Sequence, residues 1–148
     1  MAIILVIDDD SVARRHFSRA VISIGYETVY STGGLPVLEV VYDQNPDLIL
    51  LDLTTSHCDG VDTLGLLLGN SLTKPVPLVM IAAIFDRGRV LTGMSAGAVD
   101  YIEKPVSEDD LGFVLNRYLL GRDLGIQGHR ISSARREPAY LANSTRAA

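Results

Sequence analysis

Tryptophan is absent from this chain, and phenylalanine and tyrosine bring the aromatic share to only 6%. Aliphatic side chains must therefore fill whatever core it has. A single cysteine, Cys58, excludes an internal disulfide framework and an all-cysteine zinc site. The longest apolar run, Val76 to Phe85, has ten residues and contains Pro77. A membrane span needs ~20, so no membrane insertion is expected. Met1 to Ile7 is apolar but lacks a basic start and runs straight into three aspartates. It is not a secretory signal, and the cytoplasm is the expected compartment. Basic charge is also short: 13 Lys and Arg face 18 Asp and Glu, net -5. That balance argues against direct nucleic-acid binding.

What is present is 47% apolar residues in 148, enough for the core of one domain. Charge divides the chain unevenly. Residues 1–121 hold 8 basic and 16 acidic side chains, net -8, whereas residues 122–148 hold 5 and 2, net +3. The second stretch has few large apolar residues and no clear period. It reads as a mobile tail or linker behind a folded domain at 1–121.

Within the domain, short apolar runs alternate with helical patterns. Ile3 to Ile7 reads as a strand buried on both faces. Ser11 is placed to cap a helix carrying Ala13, Phe17, Ala20, Val21 and Ile24 on one side, and Gly25 ends it. Strands are expected at Glu27–Ser31, Leu48–Leu51 (ending at Asp52), Val76–Ala83 and Asp100–Glu103. Helices are expected from Pro36 to about Gln44, around Val61, Leu64, Leu67 and Leu68, and from Asp86 to Ala96. The last of these is weak, because Gly88 and Gly93 each cost ~1 kcal/mol relative to alanine. Ser107 caps a final helix with Leu111, Val114, Leu115, Tyr118 and Leu119 inward. The alternation predicts an α/β fold, a parallel sheet with helices on both faces, whose site lies at the carboxyl ends of the strands.

Those ends carry Asp8, Asp9 and Asp10 after the first strand, Asp52 after the third, and Glu103-Lys104-Pro105 after the fifth. Converging carboxylates repel and need a cation. Mg²⁺ takes oxygen ligands and phosphate oxygens. With a lysine beside it, the set makes a phosphoryl site: metal, ammonium and carboxylate nucleophile. Taken one at a time, these acids fit a solvated turn or a helix N-terminus and the lysine fits an ordinary surface position; the joint arrangement carries the reading.

In this order the residues resemble a two-component response-regulator receiver domain. The carriers are Ile4-Leu5-Val6-Ile7-Asp8-Asp9-Asp10, Pro46-Asp47-Leu48-Ile49-Leu50-Leu51-Asp52, Asp59-Gly60, Gly97-Ala98 with Asp100-Tyr101, and Lys104-Pro105, covering residues 3 to about 120. The resemblance implies a flavodoxin-like, doubly wound five-stranded sheet of order 2-1-3-4-5. It implies that Asp52 is the phosphoacceptor, with a sensor histidine kinase or histidine phosphotransfer protein as donor. It further implies Mg²⁺ on Asp9, Asp52 and the Thr54 backbone carbonyl, with Asp8 holding the metal through water. Lys104 would pair with a phosphoryl oxygen, next to a cis Lys104–Pro105 bond. The output would be protein–protein contact, since only 27 residues follow position 121, too few for a winged-helix domain. If the chain is a fragment, they lead to an output domain instead.

The sequence departs from the family pattern at the end of the fourth strand. The usual Ser or Thr is Ala82, so the hydroxyl that binds the phosphoryl group and lets the aromatic Tyr101 turn inward is missing. A lost charge-assisted hydrogen bond is worth ~1.5–3 kcal/mol, enough to weaken the switch or to require a different contact. Ile84, two residues on, is apolar where family members screen attacking water, which favours a long-lived phosphoryl group. The loop after Asp52 holds His57 and Cys58, read as a polar loop or as an imidazole or thiol sensor. His16 and His129 carry no role. Arg14, Arg15 and Arg19 on the first helix form a solvated face or a docking face for the donor. Family dimers form through the fourth strand to fifth helix, so a homodimer is possible, against which the two glycines weigh. Two other readings stay open. One is a phosphate-independent scaffold, favoured by Ala82. The other is a haloacid-dehalogenase-like phosphatase, with Asp8 as nucleophile, Asp10 as acid/base and Lys104 as stabiliser, which leaves Asp52 unexplained.

Overall fold

The structure is a computed structural model that describes residues 1–54 and 60–123, the last three by their backbone alone. Five strands, β1 (Ile3–Ile7), β2 (Glu27–Ser31), β3 (Leu48–Asp52), β4 (Leu78–Ala82) and β5 (Asp100–Glu103), alternate with five helices. These are α1 (Ser11–Ile24), α2 (Pro36–Gln44), α3 (Gly60–Leu68), α4 (Arg87–Ala96) and α5 (Glu108–Asp123). All pairings are parallel and the order is β2-β1-β3-β4-β5. This is the flavodoxin-like sheet that the family resemblance implies. The expected boundary at 121 falls inside α5, and the stretch from 124 to 148 lies outside the described residues.

The sheet separates two apolar layers, because alternate strand residues point to opposite faces. Ile4, Val6, Leu48, Leu50, Val79 and Ile81 face α1 and α5, where Phe17, Val21, Leu111 and Leu115 meet them. Leu5, Ile7, Ile49, Leu51, Leu78 and Met80 face the other way, onto Val37, Leu64, Leu67 and Val90. Both central strands β3 and β4 are buried at every residue, which is why they read as continuous apolar runs.

Three expected details change. Asp10, not Ser11, caps α1: its backbone is extended (φ -87, ψ 115) and its side chain accepts from the Val12 N–H at 2.9 Å. Ser11 is already helical, and the carboxylate one residue earlier reaches the second orphan N–H of the helix. Strand β4 is shorter than Val76–Ala83. Val76 closes a turn onto the Thr73 carbonyl at 3.0 Å, and Pro77 has no N–H for the ladder, so pairing starts at Leu78. Finally, the helix expected from Asp86 begins at Arg87, behind a single 3₁₀ turn at Ile84–Asp86.

Far from the carboxyl edge, the buried Asp100 carboxylate accepts from Arg117 Nη1 and from the Tyr118 hydroxyl, both at 3.0 Å. This ties α5 to the start of β5. Burial, with the Asp100 charge, pushes the Tyr118 hydroxyl up to about 12.

The two glycines of α4 differ in purpose. Gly88 faces open space, whereas a Cβ at Gly93 would collide with the Met80 thioether and meet Leu64 Cδ1 at 3.1 Å. Gly93 thus lets α4 lie directly on β4. Gly93→Ala is expected to destabilise the domain by ~1–2 kcal/mol, overpacking outweighing helix propensity. Gly88→Ala should stabilise it by up to ~1 kcal/mol. Urea unfolding of both variants checks the contrast; equal effects would contradict it.

Candidate functional site

Register brings the site together. Ile7 lies opposite Leu51 and Asp52 opposite Ile81, so Asp8 and Asp52 leave neighbouring strands at one edge. Ala82 lies opposite Glu103, and the Lys104 N–H donates to the Ala82 carbonyl at 2.9 Å. The Lys104–Pro105 bond is cis, as expected. From there the Lys104 side chain reaches back across the end of β4, and its Nζ meets Asp52 Oδ2 at 2.6 Å.

Asp52 is only 2% exposed. Its other oxygen, Oδ1, accepts from the Thr54 N–H at 2.7 Å. Asp8 is equally buried and lies against it, with Oδ1 accepting from the Asp10 N–H at 3.0 Å. Burial, reinforced by the neighbouring Asp52 carboxylate, pushes Asp8 up to about 7, although the Asp10 N–H and Lys104 act against the shift. One lysine thus faces two buried carboxylates. Asp8 Oδ2 and Thr54 Oγ1 are buried with no hydrogen-bond partner among the described residues. An orphaned carboxylate oxygen beside a second carboxylate is a place that a hard cation would satisfy. Among the described residues no three acidic, His or Cys side chains stand together at metal-holding spacing. Magnesium does not require three, since one or two carboxylates with water suffice. Asp9 is half-buried beside the pair.

The walls of this edge are main chain held from behind. Arg14 Nη1 donates to the Asp8 carbonyl at 2.8 Å, and Arg89 Nη1 to the Leu53 carbonyl at 3.1 Å. A Cβ at Gly60 would lie 2.6 Å from Leu53 Cα and 2.8 Å from the Asp52 carbonyl oxygen, so α3 begins in direct contact with the end of β3. Neither arginine contact is legible in the sequence, where Arg14 reads as part of a solvated or docking face and Arg89 carries no reading. Asp47 was quoted only as part of a pattern, yet its Oδ2 accepts from the Ile3 N–H at 2.9 Å and fixes the start of β1.

Other candidate residues fall as follows. Ala82 is buried at the end of β4 and offers no side-chain donor. Tyr101 is half-buried against the layer that faces α2–α4. Ile84 is exposed. Asp10 is exposed and engaged in capping α1. His16 is exposed on the outer side of α1, edge-on to Phe17. Arg15 and Arg19 are exposed, Arg14 half-buried. His57, Cys58, Asp59 and His129 lie outside the described residues.

A buried acid pair with a lysine at the carboxyl edge of a 2-1-3-4-5 sheet defines a class that known proteins share. The response regulator receiver domain profile matches residues 4–116, and the chain belongs to this family. Members are signalling domains, phosphorylated on aspartate by histidine kinases. The chain is 32% identical over 108 residues to the phosphate regulon transcriptional regulatory protein PhoB of Pseudomonas aeruginosa, covering 73% of this chain and 47% of that one. It is 35% identical over 108 residues to the probable transcriptional regulator ycf27 of Porphyridium aerugineum, covering 73% and 44%. The chain therefore spans about half the length of the curated relatives it matches. Among solved structures, a response regulator from Chloroflexus aurantiacus superposes with TM-score 0.73 at 27% identity, covering 80% of this chain and 98% of that one. The receiver domain of NtrX from Brucella abortus superposes with TM-score 0.71 at 28% identity, covering 79% and 98%. Among the described residues, no helix is long and apolar enough to cross a membrane.

The raised Asp8 makes a pH prediction. A carboxyl whose folded value lies above its unfolded 3.8 supports the fold fully at low pH and loses that support as pH rises through about 7. In chelator, Asp8→Asn should therefore raise stability at pH 8 by on the order of 2 kcal/mol and change it little at pH 4. Denaturant unfolding at the two pH values reads this directly, and a destabilised variant at pH 8 would refute it.

Proposed function

We propose that this chain accepts a phosphoryl group on Asp52 from the phosphohistidine of a sensor histidine kinase or a histidine phosphotransfer protein, and signals through protein contacts. The observation that carries this reading is the Asp52 carboxylate, buried yet paired with Lys104 at 2.6 Å beside Asp8. An Asp52 oxygen supplies the electron pair of the new O–P bond. The P–N bond to the donor imidazole breaks, and its electron pair stays on the imidazole nitrogen. Such a displacement needs positioning and charge neutralisation more than covalent machinery. Lys104, a third exposed, is free to follow the charge from the carboxylate to a phosphoryl oxygen. Asp8, Asp9, Asp52 and the Thr54 carbonyl are the groups that would hold Mg²⁺, which supplies further neutralisation when bound. The orphaned Asp8 oxygen supports this set. Exposed Ile84, Phe85 and Leu91 give the face around α4 the apolar surface for a protein partner or a second copy.

A phosphate-independent scaffold is the second reading, and buried, donor-free Ala82 is the observation in its favour. The phosphatase reading draws no support, since Asp10 is spent on capping α1.

Incubation with acetyl phosphate and Mg²⁺ should add one phosphoryl group by intact mass. The gain should vanish in Asp52→Asn and in chelator, and fall at least about tenfold in Lys104→Ala, the loss of one charge-assisted contact. No gain with either acetyl phosphate or a phosphohistidine donor would favour the scaffold.

A further inference from the structure

The buried end of β4 offers Ala82 where a hydroxyl donor would meet the phosphoryl group, yet a donor stands nearby on another element. Arg89 lies in the first turn of α4 and reaches over the end of β3 to the Leu53 carbonyl, 3.1 Å away. Leu53 is the neighbour of Asp52, and the amide on the other side of the same peptide unit, Thr54 N–H, holds Asp52 Oδ1 at 2.7 Å. The guanidinium therefore lies one peptide unit from the Asp52 carboxylate, across the Leu53–Thr54 peptide from it.

Among the described residues Lys104 pairs with Asp52 and Arg117 with Asp100, whereas Arg89 forms no ion pair and meets only a neutral carbonyl. Arg14, the other arginine at this edge, grips the Asp8 carbonyl in the same way at 2.8 Å, but from the β1 side. A phosphoryl group brings roughly 1.5–2 negative charges and three strong acceptor oxygens. A guanidinium can bond two such anionic oxygens at once in its fork geometry, which a single carbonyl oxygen cannot offer.

We propose that Arg89 is the phosphoryl-binding residue that stands in for the hydroxyl missing at Ala82. When Asp52 carries a phosphoryl group, the guanidinium exchanges the Leu53 carbonyl for a phosphoryl oxygen and draws the first turn of α4 toward the site. The proposal rests on Asp52 being the phosphoacceptor. Two contacts convert this local exchange into movement of a surface. Val90, the next residue, is buried in the layer against the sheet, and Gly93 rests on Met80 of β4, so the helix shifts as one piece. The exposed Ile84, Phe85 and Leu91 shift with it, so a partner docked there senses the phosphoryl state.

The test uses the full chain, with acetyl phosphate and Mg²⁺. Intact mass reads the phosphorylated fraction, and hydrogen exchange of the peptide spanning 87–96 reads α4. In the unsubstituted protein, phosphorylation should change α4 exchange severalfold. In Arg89→Met the α4 response, scaled to the phosphorylated fraction, should disappear and the acyl phosphate should shorten in lifetime. Arg89→Lys, which keeps a cation at that reach, should restore part of both. An undiminished α4 response in phosphorylated Arg89→Met, or a phosphorylated parent whose α4 does not respond, overturns the proposal. A parent that gains no phosphoryl mass overturns the reading of Asp52 beneath it, and the mass reports that failure separately.

Discussion

The contact between Lys104 Nζ and Asp52 Oδ2 is the interaction on which the carboxyl edge depends. Two fully buried strands, β3 and β4, run side by side to that edge and leave Asp52 almost without water. A carboxylate so placed must be paired, and breaking such a pair costs ~3–5 kcal/mol. Lys104 reaches it because β5 carries the chain past Ala82 and its own N–H bonds the Ala82 carbonyl. The lysine satisfies one acid fully; Asp8, against the same pair, keeps a buried oxygen with no partner among the described residues. The edge is therefore electrostatically incomplete, which is a poor arrangement for stability and a good one for receiving a cation and a phosphoryl group.

Around this pair the site is shaped by main chain. Arg14 holds the carbonyl of Asp8, Arg89 that of Leu53, and Gly60 packs against the backbone where β3 ends. These grips come from three different helices, so the ends of β1 and β3 are clamped to α1, α3 and α4.

The two halves of the receiver design are unequally preserved. The acid pair and lysine are in place, while the end of β4 offers only the buried, donor-free side chain of Ala82. The neighbouring surface has not become inert. α4 lies close on β4 through Gly93 and Met80, and carries both an arginine on the Leu53 carbonyl and exposed apolar side chains. Glycines that look like weakness in a helical pattern are, at Gly93, the condition for that close packing.

Much of this was legible in the linear chain. The apolar runs of β1 and β3, the alternation with helices and the acids at the strand ends follow from periodicity and local chemistry, so the sheet, α2 and the grouping of Asp8, Asp52 and Lys104 could be read directly. Cap chemistry was legible only to within a residue: Asp10 and Ser11 are both good caps, and backbone geometry chose Asp10. The extent of β4 depended on where pairing with β3 starts, and the purpose of Gly93 on what lies opposite it. By itself the sequence determined the fold and which residues share the edge, because burial patterns and turn residues are local properties. Only the tertiary structure decided that Asp8 keeps an oxygen without a partner among the described residues and that Arg89 bonds the Leu53 carbonyl. Those facts depend on distances between elements far apart in the chain, and no periodicity encodes them.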